Sequence, residues 1–194
     1  MDAHWIEQAK KGDMAAFNAL VHRWRPKIYR YALRYFSRYA ARGEDEPLAL
    51  EVAQKTFISV YEGLGKMRQP DGFRTWLYRI AANHCHMEER RRKPEPLDAD
   101  SDDFHLQSWV TGPEGDLSRT EMNRWLQEAL RRIPSEQREV VLLKEYEGLT
   151  FREIAGVLGI PENTAKSRLY YGLKALRQVL ESWRLSPEQL YHEH

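Results

Sequence analysis

Apolar residues recur along this chain at spacings of three and four, in blocks separated by polar or glycine- and proline-bearing breaks. Ala16, Phe17, Leu20, Val21 and Trp24 form one stripe, and Ile28, Tyr31, Ala32, Tyr35 and Phe36 resume it. Asp13 stands where an N-cap belongs, and Pro26 either opens a second helix or kinks a continuous one. Residues 43–47 form a polar break. A second helix follows, with Val52, Ala53, Thr56, Phe57, Val60, Tyr61 and Leu64 on one side. Residues 65–72 read as a loop. Asp71 is placed to cap a third helix from 73 to about 92, with Trp76, Leu77, Ile80, Ala81 and Cys85 inward.

The period lapses over residues 94–118, which hold Pro94, Pro96, Gly112, Pro113 and Gly115. It returns at Ser118, read as a cap, with Trp125, Leu126, Ala129, Leu130 and Ile133. A helix from Pro134-Ser135 carries Val140, Val141, Leu142 and Tyr146 and ends at Gly148. Next comes a helix with Ile154, Ala155 and Leu158 on one face, then Gly159 where the chain must turn and can take positive φ without a Cβ penalty. A last helix runs through Leu169, Leu173, Leu176 and Leu180. No segment alternates with the period of a strand. The expected fold is all-α: two small helical domains, 1–93 and 119–185, a flexible linker at 94–118 and a tail at 186–194.

The net charge of +1 hides a segregation. Residues 1–93 carry a net of +7, residues 94–118 a net of −7 with no Lys or Arg, and residues 119–194 a net of +1. Lys166, Arg168, Lys174 and Arg177 cluster with no acid between Asn163 and Val179. A local cationic stripe governs phosphate binding more than the total does. A solvated tether accounts for the acidic linker.

Other chemistries are set aside by the same reading. Cys85 is the single cysteine, so no disulfide forms within the chain. His84-Cys85-His86 looks like a metal set, but successive helical residues point about 100° apart and do not converge on one ion. No nucleophile with a base, carboxylate triad or nucleotide loop is apparent, so no enzyme, metal or cofactor is expected. No apolar run nears the ~20 residues of a membrane span, and the first residues lack the apolar core of a signal peptide. A cytoplasmic protein without membrane insertion is expected.

The positive candidate is the helix–turn–helix of residues 149–169. A short helix that exposes Asn163, Lys166, Ser167 and Arg168 near its start fits the DNA major groove. An αα-hairpin with a solvated face is the plainer alternative. Residues 73–93 set aromatics beside basic groups, as capture of unstacked bases requires. The run 90–93 also suits a helix end by its dipole alone.

The chain as a whole resembles the extracytoplasmic-function group of σ70-type RNA polymerase sigma factors. The resemblance rests on Gly12-Asp13-x-x-Ala16-Phe17-x-x-Leu20, Gln54-x-Thr56-Phe57, and Trp76-Leu77-x-x-Ile80-Ala81-x-Asn83 ending in Arg90-Arg91-Arg92. Ala129-Leu130-x-x-Ile133-Pro134, Glu153-Ile154-Ala155-x-x-Leu158-Gly159-Ile160 and Thr164-x-Lys166-Ser167-Arg168-Leu169 complete it. Such factors keep σ regions 2 and 4 with a linker between. The resemblance implies a protein that binds core RNA polymerase at the β′ clamp helices and β flap and gives it promoter specificity. Region 4 would read the −35 element as duplex DNA through Asn163, Thr164, Lys166, Ser167 and Arg168, with Tyr171 and Lys174 on the backbone. One of Tyr170 and Tyr171 is expected in the core.

Region 2 would open the −10 element and hold its non-template single strand, with Asn83, His86 and Met87 facing it and Arg79, Arg90 and Arg91 near phosphates. Residues 66–72 match the family's loop for a flipped base, and Trp76 and Leu77 belong to the core. The second helix would bind the polymerase through Leu50, Glu51, Gln54 and Phe57. The chain departs from the family's acidic run there: Leu50 and Lys55 stand where acids are usual. Ala165 likewise replaces a usual valine. An anti-σ factor is also implied. Two other readings remain: a polymerase-independent helix–turn–helix regulator, and an enzyme with a DNA-binding tail.

Overall fold

The computed structural model describes residues 2–37, 39, 43–67, 70–92 and 117–183, with 117–124 described by backbone alone. The expected acidic linker, apart from its last two residues, and the tail lie outside these residues, as do Arg68 and Gln69 of the loop and Lys93 of the basic run.

The described chain is built of helices: α1 (Asp2–Lys10), α2 (Met14–Tyr35), α3 (Asp45–Gly63), α4 (Phe73–Arg91), α5 (Leu117–Arg132), α6 (Ser135–Val141), α7 (Phe151–Leu158) and α8 (Glu162–Ser182). Short 3-10 turns at Leu64–Lys66 and Pro70–Gly72 join α3 to α4, and one π turn, Leu142–Tyr146, extends α6. The Asp13 carboxylate caps α2 as expected, accepting from the amides of Ala15 at 2.8 Å and Ala16 at 3.2 Å. Pro26 sits inside one continuous α2, so the missing N–H interrupts a single rung rather than the helix.

Several local expectations are corrected. Helix α1 was not foreseen; its Ile6 is fully buried. Asp71 lies within a 3-10 turn and Gly72 takes the N-cap position of α4, without a side-chain cap. Ser118 is inside α5, which already begins at Leu117, and so is not its cap.

Helices α2, α3 and α4 close on rings, with α1 laid across α2. Trp24 meets Phe73 and Tyr78 edge-on, at 6.0 and 6.5 Å between centroids, and Tyr78 meets Tyr31 at 5.7 Å. Leu77 is fully buried and Trp76 half-buried against this core. Tyr61, expected inward, is 57% exposed and leaves only its edge on Phe17, 5.2 Å away. Lys55 straps α3 to α4: its ammonium lies 2.5 Å from Glu51 and 2.6 Å from the buried Glu88.

Helices α5 to α8 close on aliphatic side chains, among them Leu130, Val140, Leu142, Leu143, Ile154 and Val157. A Cβ at Gly172 would sit 3.0 Å from Val141 Cγ2, so any larger residue there requires α6 side chains to give way by a few tenths of an ångström. The halves meet where α7 lies on α4 and the π turn lies on α2, and one apolar cluster runs through both.

Candidate nucleic-acid interface

The turn between α7 and α8 forms for local reasons. Thr150 caps α7 in a reciprocal box: its hydroxyl accepts from the Glu153 amide at 3.2 Å, and Glu153 accepts from the Thr150 amide at 2.8 Å. Gly159 ends the helix at φ 66°, as the sequence predicts, and its amide donates to Ala155 at 2.9 Å. Ile154 and Val157 supply the buried face, while Ala155 and Leu158 are only half-buried. Helix α8 therefore stands with one face out. Asn163, Lys166, Ser167, Tyr170, Tyr171 and Lys174 are exposed along it, and Thr164 is half-buried. Tyr170 and Tyr171 are 65% and 55% exposed, so neither packs in the core. Their rings contact each other edge-on at 5.4 Å. Ser167 donates to the Asn163 carbonyl at 3.0 Å. Lys166 lies 3.3 Å from Glu162. Arg168 is turned away from this stripe: half-buried, it donates to Glu136 at 2.6 Å.

On α4, Arg79, Asn83, Met87, Arg90 and Arg91 are exposed and follow one another at helical spacing. His84, Cys85 and His86 point apart, as the helix requires. Cys85 is buried in the core, His84 meets Ser59 at 3.1 Å, and His86 Nε2 meets Glu139 Oε2 at 2.9 Å. Burial, with Lys55 nearby, lowers the His84 pKa. On α3, Leu50, Glu51 and Gln54 form an exposed stripe that Ile58 and Tyr61 continue. Phe57 is only 7% exposed; it belongs to the core beneath this stripe and presents no surface to a partner. Ile58 was not read and Tyr61 was placed inward, although their spacing of four and seven from Gln54 was open to reading.

The feature that sequence reasoning did not reach is the seam between the halves. Glu139 of α6 is buried. One of its oxygens accepts from the Tyr31 hydroxyl at 3.0 Å and the other meets His86. Burial, then the Glu139 charge, pushes the Tyr31 hydroxyl well above its usual range and keeps it a donor. The hydrogen bond to Glu139 raises the His86 pKa against the effect of burial. Glu147, after the π turn, accepts from the Tyr78 hydroxyl and lies 3.6 Å from Arg34. The Arg34 guanidinium also stacks 4.4 Å over the Tyr146 ring. Arg74 donates to the Glu147 carbonyl and Arg79 to the Gly156 carbonyl. Gly156 allows that approach: a Cβ there would sit 3.0 Å from Thr75 Cγ2. Two of the α4 side chains assigned to the −10 element, Arg79 and His86, are thus engaged by α6 and α7.

No helix among the described residues is long and apolar enough to cross a membrane. Comparison with known proteins adds the following. Residues 20–95 match the family described as Sigma-70 region 2, and residues 123–176 match Sigma-70, region 4. The chain is 31% identical over 188 residues to an RNA polymerase sigma-H factor of Pseudomonas aeruginosa, covering 93% of this chain and 94% of that protein. It is 31% identical over 189 residues to an ECF RNA polymerase sigma-E factor of Haemophilus influenzae, covering 93% and 95%. Its fold is similar to CnrH, solved in complex with the cytosolic domain of CnrY, with a TM-score of 0.66 at 24% identity over 93% of this chain and 97% of that one. It is also similar to the sigma factor RpoE of Bartonella quintana, solved with the anti-sigma factor NepR, with a TM-score of 0.63 at 21% identity over 85% and 96%.

Proposed function

The chain belongs to the extracytoplasmic-function group of σ70-type RNA polymerase sigma factors, and from that membership we propose which of its surfaces do the work. Sigma factors initiate transcription by binding core RNA polymerase and promoter DNA, and they are not enzymes. Membership sets aside the polymerase-independent regulator.

The exposed face of α8 reads the −35 duplex: Asn163, Lys166 and Ser167 reach base edges, with Thr164, while Tyr171 and Lys174 hold the backbone. The observation that carries this reading is the cap-and-glycine turn that fixes α8 with an outer face free of acids from 163 to 179. Arg168 joins the readout only after it leaves Glu136. On α4, Asn83 and Met87 capture the −10 non-template strand with His86, and Arg79, Arg90 and Arg91 take its phosphates. Because Arg79 and His86 are engaged by α7 and α6, this requires the seam to open. The exposed stripe of α3, from Leu50 through Glu51 and Gln54 to Ile58 and Tyr61, binds the β′ clamp helices, and residues 119–185 meet the β flap. Lys55 belongs to the α3–α4 strap rather than to that contact. The domains divide at 93 and 118, the protein works in the cytoplasm, and an anti-σ factor is its regulator, as the complexes of CnrH and RpoE support.

The test is run-off transcription with purified core polymerase over a pool of promoter fragments. Specific start sites that share two upstream blocks are expected. Asn83→Ala is expected to reduce permanganate reactivity of −10 thymines while leaving −35 binding intact; equal reactivity rejects its role.

A further inference from the structure

At the seam lies a half-enclosed hollow of about 170 Å³ whose wall carries four cationic side chains, Lys27, Arg30, Arg34 and Arg74, and one carboxylate, Glu147. We propose that this hollow is a binding site for the phosphate oxyanions of an extended polyanion, and that Glu147 occupies it as an internal stand-in for that ligand.

The cations come from α2 and α4, and the acid comes from the other half of the molecule. Glu147 is held as a bound anion would be. Its carboxylate accepts from Tyr78 and faces Arg34 at 3.6 Å, and Arg74 donates to its backbone carbonyl. The Glu147 carboxylate answers Arg34, and Glu153 lies 3.8 Å from Arg74, so two of the four charges have a carboxylate and two do not. Among the described residues neither Arg30 nor Lys27 has a carboxylate partner; the Lys27 ammonium rests 4.5 Å over the Trp24 ring. Guanidinium forks match phosphate oxygens in geometry, and a walled site is screened by salt less than an open surface is.

A second hollow of about 580 Å³ shares Trp24, Lys27 and Arg74 with the first and continues past Arg23, which pairs with Asp2 at 3.1 Å, to Pro70 and Asp71. Lys27 and Arg74 line both hollows, which suits several phosphates in a row better than one. None of these four cations belongs to the surfaces assigned to promoter reading above. Because the ligand and Glu147 compete for the same donors, phosphate binding and closure of the seam oppose each other.

Two sources offer this chemistry, the backbone of a single-stranded nucleic acid and a small polyphosphate. The experiment uses the full chain with two probes: a labelled abasic strand of about ten nucleotides, followed by anisotropy, and inorganic tripolyphosphate, followed by calorimetry. Glu147→Gln removes the competing charge and is expected to tighten binding about tenfold. Arg30→Ala is expected to weaken binding about tenfold and to lower the salt slope for the strand by about 0.7. Lys11→Ala, on the exposed turn after α1, is the control and is expected to change nothing. Arg30 is exposed, so its loss leaves no buried partner, and helicity by circular dichroism verifies the fold. Binding of the strand alone identifies nucleic-acid backbone, and binding of both probes extends the site to small polyphosphates. Glu147→Gln binding no tighter than the parent, or Arg30→Ala matching Lys11→Ala with both probes, overturns the proposal. Neither result depends on transcription activity, so failure in the run-off assay is a separate outcome.

Discussion

The two halves of this molecule are held together by different materials. Helices α1 to α4 interlock aromatic rings around Trp24, Tyr31 and Tyr78, while α5 to α8 close on branched aliphatics in a smaller space. They also bring opposite chemistry to their common seam. The ring-rich half supplies hydroxyls and cations, Tyr31, Tyr78, His86, Arg34 and Arg74. The aliphatic half supplies the carboxylates Glu139 and Glu147. The difference teaches that the smaller half rests partly on the larger. Of its seam acids, Glu139 and Glu147 are largely buried and are satisfied there.

The largest expected effect attacks the aliphatic half alone. Leu130 of α5 is fully buried, and Leu130→Ala is expected to cost about 2–5 kcal/mol through lost burial and a cavity. Amide exchange is expected to quicken in α6 to α8 while α2 and α3 keep their protection. Equal loss in both halves breaks the comparison and makes them one cooperative unit.

The next effect is on the seam itself. Glu139→Ala leaves the Tyr31 hydroxyl and the His86 ring without their acceptor, at a cost of about 1–3 kcal/mol to the closed arrangement. Dyes on Ile58→Cys and Tyr170→Cys, both exposed positions, are expected to report lower energy transfer; Cys85 is buried and stays unlabelled. Unchanged transfer means that the apolar cluster and the Glu147 and Arg79 contacts hold the halves without Glu139.

The smallest effect is from pH. The Glu139 hydrogen bond raises the His86 pKa, burial opposes it, Glu89 adds to it, and Arg90 subtracts from it. A raised value means the charged contact is fully present below the ordinary histidine pKa of 6.5 and is lost as pH climbs through the raised value. The His86 side chain is 36% exposed, so solvent screening holds the effect under about 1 kcal/mol. The same dyes are expected to show slightly less transfer at higher pH, and His86→Phe is expected to flatten that slope. A slope that survives His86→Phe assigns the titration elsewhere.

What was legible in the sequence was local. The Asp13 cap, the left-handed Gly159 and the apolar stripes of α2 and α3 each depend on neighbours within a turn or two, whereas Leu173 of the expected α8 stripe is 43% exposed. Caps at Asp71 and Ser118 failed because residues of capping type precede many turns, and only backbone geometry shows which one starts a helix. Tyr170 and Tyr171 failed because an aromatic at helical spacing says nothing of which face meets a partner. The seam was out of reach for another reason. Glu139 is 108 residues from Tyr31 and 53 from His86, and in sequence it reads as one more solvated helix acid. Lys55 looked like a defect in a contact surface until its position beside Glu88 gave it an internal purpose.

That strap also constrains how this sequence can change. Position 55 serves the outer face of α3 and the inner joint with α4 at once, so it is not free to drift toward the acid usual in the family. An acid there would face Glu88, which is buried, and Glu51 one turn away. A viable exchange therefore needs a paired change, with a cation arriving at 88 as one leaves 55. The two sites are expected to vary together, and a chimera that imports the family's acidic run into this helix has to carry its α4 partner with it.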